Sequence, residues 1–158
     1  MSDAFYSRHP QPGIEHVMLG DLTLVVLLRA SFRQEGIQFF TPGTFSQQLG
    51  YMNRPKGYDI PPHDHNAVSR TVEWTQETLF IRSGHVRLDI YAPGTRAYLG
   101  SRELFPGDVV LLAHGGHGFH MLEPSEIIEI KQGPYAGDAD KTRFRPQHGP
   151  LTGEPAHE

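Results

Sequence analysis

Three side chains in the stretch HDHNAVSRTVEWTQETLFIRSG (63–84) have the chemistry to hold a cation: His63, His65 and Glu77. Successive side chains of an extended chain point to opposite sides, so His63 and His65 face one way and Asp64 the other. Two imidazoles on one face can chelate one ion; HDH alone reads equally as an exposed polar loop. Glu77 opens ETLFI, whose alternation puts Glu77, Leu79 and Ile81 on one face and Thr78 and Phe80 on the other. A bare carboxylate among apolar side chains costs several kcal/mol unless it is paired or binds a metal. A cation shared with two histidines supplies that compensation.

The elements that must position these groups are short. Apolar runs of strand length recur between Gly/Pro punctuation: LTLVVLL (22–28), IQFF (37–40), SQQLGYMN (46–53), ETLFI (77–81), HVRLDIYA (85–92), DVVLLA (108–113), HGFHML (117–122) and EIIEIKQ (126–132). Turn signals fall between them at RSG (82–84), APGT (92–95), FPGD (105–108), AHGG (113–116) and EPS (123–125). No window sustains a helical stripe over a dozen residues. Many short strands with tight turns predict an all-β sandwich or barrel. Pro61-Pro62 cannot sit inside a ladder and marks an edge or a strand start. From about Gly133 the chain has little to bury, and its last dozen residues are expected to form a mobile tail.

Composition narrows the partners. The chain has 158 residues, one domain's worth, with 37% hydrophobic and 20% charged residues. A net charge of -4 without a dense Lys/Arg block argues against a nucleic-acid backbone as partner. There is no cysteine, so any metal must use His and carboxylate ligands. The longest apolar run is too short to span a bilayer and the first twenty residues lack a signal pattern, from which a cytoplasmic protein without a membrane partner is expected. Phosphate loops, HExxH helices, GxSxG elbows and cysteine nucleophiles are all missing from the sequence.

Two motifs carry a resemblance to the cupin superfamily. Gly57, five residues, His63, one, His65 resembles the start of the first cupin motif, and Glu77, six residues, Gly84 resembles its end. Eleven residues (Asn66 to Gln76) separate the second His from Glu77, where the family usually has three or four. GSRELFPGDVVLLAHGGHGF resembles the second motif, with Ala113-His114-Gly115-Gly116-His117 shortening its usual Pro-x-Gly-x-x-His. The resemblance spans about residues 46–132. It implies a single cupin-type antiparallel β-barrel (a double-stranded β-helix or jelly roll) over 21–135, an N-terminal arm over 1–20 and a partly disordered extension over 136–158. It further implies a divalent metal, Fe(II), Mn, Ni, Co or Zn, held by His63, His65, Glu77 and His117, with Glu73 the alternative acidic ligand. Such imidazoles must be unprotonated to ligate, so metal affinity is expected to fall below about pH 6.

Two function classes follow. In the first, a small polar metabolite, sugar-like or a hydroxy or keto acid, chelates the metal and undergoes isomerisation, epimerisation, elimination or O2-dependent oxidation. Glu77, His120 and His114 are then the candidate proton carriers. A sugar-like substrate is implied only by similarity of TQETLFIRSGHVRLDIY and EIKQGPY to cupins linked with cell-surface carbohydrate assembly. In the second class the barrel is a metal or ligand sensor, carrier or accessory module; a barrel with an inert site is the third reading. His114, in a Gly-rich turn, is expected to face solvent, while Phe119 and Met121 share the face of His117 as packing. Glu129 and Lys131 alternate with Ile128 and Ile130, so one pair faces inward; an inward Lys131 would position an anionic substrate. Trp74 and Arg70 read as lid or loop packing, Tyr51 and Tyr58 as pocket wall or filler. His9, His16, His148 and His157 are left to the termini. A homodimer is expected, with LTLVVLL or IQFF as the pairing strand.

Overall fold

Alternation of aliphatic and polar residues between tight turns yields eleven strands in a computed structural model that describes residues 4–146. They are β1 (Phe5–Gln11), β2 (Ile14–Leu19), β3 (Leu22–Leu28), β4 (Gly36–Phe39), β5 (Gly50–Asn53), β6 (Glu77–Ser83), β7 (Val86–Tyr91), β8 (Tyr98–Leu104), β9 (Val109–Leu112), β10 (Gly116–Met121) and β11 (Glu126–Lys131). A 3-10 turn covers Gly137–Asp140, and among the described residues there is no α-helix. No helix here is long and apolar enough to cross a membrane. The tail expected over the last dozen residues, with His148 and His157, lies outside the described residues.

All strand pairs are antiparallel. Six strands form one sheet in the order β1-β2-β3-β9-β6-β11; β10-β7-β8 form a second, and β4-β5 a two-stranded ribbon. Val17, Leu24, Leu27, Leu79, Ile81 and Val110 of the large sheet share one buried cluster with Val86, Leu88, Ile90 and Leu104 of the three-stranded sheet. The two sheets are thus held face to face by aliphatic burial, at roughly 1.5–3 kcal/mol per buried side chain. The all-β expectation holds at this level.

Two placements differ from expectation. Residues 1–20, expected as an arm, contain β1 and β2, which pair into the main sheet through β3. LTLVVLL is β3, and it lies between β2 and β9 with Leu24 to Leu28 buried. A strand with partners on both sides has no free ladder to offer a second copy, so this run is core and not a pairing edge. The continuous apolar run was the cue for a buried central strand.

Two turns fix the frame around β6. Asp108, buried in the FPGD turn, accepts from the Arg29 guanidinium at 2.8 Å, from the Ala30 N–H at 2.9 Å and from the Phe105 N–H at 3.0 Å. Gly84, at φ +87°, closes the β6–β7 hairpin where a Cβ would stand 2.4 Å from the Pro124 carbonyl oxygen; only glycine fits there.

Candidate functional site

Glu77 is the first residue of β6, paired with Leu112 of β9 on one side and Lys131 of β11 on the other. The predicted alternation is present: Leu79 and Ile81 are buried on the same face, and Phe80 is exposed on the opposite one. The residue before it does the anchoring. Gln76 is buried, its side-chain oxygen accepts from the Ser46 hydroxyl (3.0 Å) and the Gln47 N–H (2.9 Å), and its carbonyl accepts from Gln47 Nε2 and the Gln132 N–H, each at 3.0 Å. Four donors on two segments, residues 46–47 and Gln132, thereby set where β6 begins.

His117, on β10, meets Glu77 from the other sheet. Its Nε2 lies 3.1 Å from Oε2 of Glu77, within donor reach of the carboxylate. The second carboxylate oxygen, Oε1, lies 3.5 Å from Nζ of Lys131. The hydrogen bond from His117 holds the Glu77 carboxyl below the usual carboxylate range; burial opposes it and the Lys131 charge adds to it. An ionised, half-buried carboxylate suits a cation ligand or charge stabiliser better than a proton donor. Phe119, two residues on, packs against the core and sets its ring 5.7 Å from that of His117.

These side chains open on a cavity of about 670 Å³, bordered by Trp74, Tyr91, Phe119, Glu129 and Phe144. That volume suits a small metabolite. β11 turns Glu129 and Lys131 to this side: Glu129 borders the cavity and Lys131 is largely covered, whereas Ile128 and Ile130 are 47% and 60% exposed on the outer face. The alternation of EIIEIK allowed either orientation, and the inward one is adopted. Lys131 is also 2.6 Å from Oδ2 of Asp140, whose other oxygen accepts from the Thr75 hydroxyl. The hydrogen bond from Lys131, then that from Thr75, hold the Asp140 carboxyl below its ordinary value, and Asp140 holds the Lys131 ammonium above its own.

The other expected site residues stand elsewhere. His63 and His65 lie in residues 54–76, which have no regular secondary structure and are exposed up to Thr75. Their rings are 5.3 Å apart, so the pair does share one side, and Nδ1 of His63 is 2.9 Å from the Pro61 carbonyl oxygen. Donating there leaves the Nε2 lone pair for a ligand. Glu73 belongs to the same exposed segment. His114 does not face solvent: its Nδ1 lies 2.9 Å from the Thr23 carbonyl oxygen, its ring packs edge-on to Phe45, and it borders a neighbouring cavity with Glu73 and Gln76. His120, at the far end of β10 opposite Arg87, is half-buried and does not border the Glu77 cavity. Met121, expected as packing, is 45% exposed.

Two donors each about 2.1 Å from one ion, at right angles about it, lie about 3 Å apart. The 3.1 Å between His117 and Glu77 therefore fits two positions of a first-row divalent metal. His63 and His65 do not complete the set in this arrangement: among the described residues no three His, Asp or Glu side chains gather into a metal-ligating group. Thr75, Gln76, Tyr91, Asp140 and Phe144 were missed in the sequence. The TQE triplet is the one visible cue, since a Gln beside a strand-opening Glu is a ready anchor. No family profile matches the chain, and neither curated proteins nor solved structures yield a match.

Proposed function

We propose that the chain is a metal-dependent enzyme of the cupin kind, acting on a small polar metabolite in the cavity over Glu77 and His117. The observation that supports this reading is the Glu77–His117 contact itself, two residues distant in sequence meeting at 3.1 Å on opposing sheets. A divalent transition metal would take these two groups as ligands, with His63 and His65 delivered by the exposed segment 54–76 folding towards the cavity. When bound, such a metal supplies Lewis-acid stabilisation of a substrate oxyanion, or O2 activation if it is iron.

The chain's own residues have separable tasks. Gln76 fixes the backbone at Glu77, and Glu77 presents an ionised carboxylate at the cavity. Lys131 supplies a positive charge beside it, able to hold an anionic part of the substrate. Phe119, Tyr91 and Phe144 exclude water from one wall. His114 and His120 do not border the cavity, so proton transfer falls to Glu77, His117 or a group delivered with the segment.

Elemental analysis of protein purified without a histidine tag tests the reading. About one transition-metal equivalent per chain is expected, lost in His117→Ala and reduced in His63→Ala. No retained metal under any supply would favour a ligand-binding module without metal chemistry. A homodimer belongs to the same reading: β4, which contains most of IQFF, pairs among the described residues with β5 alone and exposes Ile37 and Phe39.

A further inference from the structure

The cavity wall carries a second polar construction beside Glu77 and His117, in which Thr75 and Asp140 border the cavity and Lys131 is covered by Asp140. Nζ of Lys131 and the hydroxyl of Thr75 each take one oxygen of a single carboxylate, that of Asp140. Asp140 ends the 3-10 turn Gly137–Asp140, none of whose residues is buried. Four residues later Phe144 lies across the cavity wall: its ring is 5.1 Å from that of Tyr91, and the Arg96 guanidinium stands 5.3 Å from its centre. Gly116 makes room for it, since a Cβ there would come 2.9 Å from the Phe144 ring. Segment 137–146 is thus fastened over the cavity at two points and contributes no strand to either sheet.

The geometry points to a carboxylate-binding seat formed by Lys131 and Thr75, held in this state by the chain's own Asp140 and open to a carboxylate-bearing small molecule that displaces it. The seat has one cationic donor and one hydroxyl for two oxygens, which matches a planar monoanion. A dianionic phosphate would face Glu77, whose Oε1 is 3.5 Å from the same Nζ, without a second fixed cation: Lys141 and Arg143 ride on the displaced segment itself. Exchange of one carboxylate for another leaves Lys131 paired throughout, so no buried charge is stranded. This deepens the proposed function, on which it rests for the location of the site, by naming the substrate class as a carboxylic acid.

Trp74 is the sole tryptophan, precedes Thr75 and borders the same cavity, so its emission reports on the seat. Sodium acetate is titrated against sodium chloride at matched ionic strength. The expected result is a saturable acetate response whose midpoint falls at least tenfold in Asp140→Ala, where the resident carboxylate is gone, and which Lys131→Met abolishes in both backgrounds. Amide hydrogen exchange over 137–146 in the unaltered protein is expected to rise several-fold with acetate and not with chloride. Equal midpoints in the unaltered protein and Asp140→Ala, a response reproduced by chloride, tighter binding of inorganic phosphate than of acetate, or unchanged exchange over 137–146 would each overturn the seat. His117→Ala, which removes the central pair of the proposed function, is expected to leave the acetate midpoint within about twofold, so that the two readings fail separately.

Discussion

Lys131 and Glu77 face each other across the β11–β6 ladder, and the Lys131 ammonium bridges the carboxylates of Glu77 and Asp140, at 3.5 and 2.6 Å. A cross-strand charge pair turned toward a cavity, with Ile128 and Ile130 left outside, inverts the usual arrangement of a sheet. The inversion serves a site. It keeps a carboxylate ionised where an aliphatic wall would otherwise stand.

Gln76→Ala should displace that carboxylate without emptying the core. The substitution leaves the Ser46 hydroxyl and the Gln47 N–H without their acceptor. Unmet groups of this kind cost about 1–3 kcal/mol when buried, and with Ser46 exposed and Gln47 half-buried the low end, about 1 kcal/mol, applies. Urea unfolding is expected to show a loss of that size, together with weakened metal binding. Full metal affinity in Gln76→Ala would show that the anchor does not position Glu77.

Asp108→Ala tests the frame. It removes the partner of Arg29 and the acceptor of two backbone N–H groups at once. Breaking a largely buried charge pair of this type costs about 3–5 kcal/mol, somewhat less here because Arg29 is 30% exposed. A drop in the urea midpoint equivalent to about 3 kcal/mol is expected.

Acid stability depends on Glu15. Burial alone would raise its pKa, but the hydrogen bonds from Ser7 and Arg102 outweigh it and hold the carboxyl below the ordinary value. A carboxyl depressed in the folded state contributes stability that is fully present above its unfolded pKa, about 4.5, and lost as pH falls through the lower folded value. Glu15→Gln should therefore narrow the stability gap between pH 7 and pH 3, measured by urea midpoints. An unchanged gap would remove Glu15 from the acid-sensitive groups.

Phe39→Glu addresses association. Phe39 is 56% exposed on β4, so a charge there should leave the monomer's thermal stability within about 0.5 kcal/mol. If β4 forms a dimer contact, sedimentation should show a shift from dimer to monomer; an unaltered dimer would place the contact elsewhere.

The strand runs were legible because period-2 alternation and turn residues are local signals: ETLFI, HVRLDIYA and DVVLLA all form strands in the expected stretches. β1, β2 and β8 were not marked, since FYSRHPQ, IEHVML and YLGSREL mix polar residues into both faces. Of the site, Glu77 was legible from its place at the head of an apolar run, and His117 from the motif that resembles a cupin. Asp140 and Thr75 were not, because Asp140, in a stretch with little to bury, joins Lys131 to Thr75, which lies 65 residues before it. His114 misled for a similar reason: its partner, the Thr23 carbonyl, is a backbone group 91 residues away.

Cobalt(II) titration, followed by visible absorption in the unaltered protein, Glu77→Gln and His117→Ala, bears most directly on the Glu77–His117 centre. The account predicts one site per chain, with affinity at least tenfold weaker in either variant and a spectrum that also changes in His63→Ala. Cobalt binding equally tight in His117→Ala and the unaltered protein would contradict it.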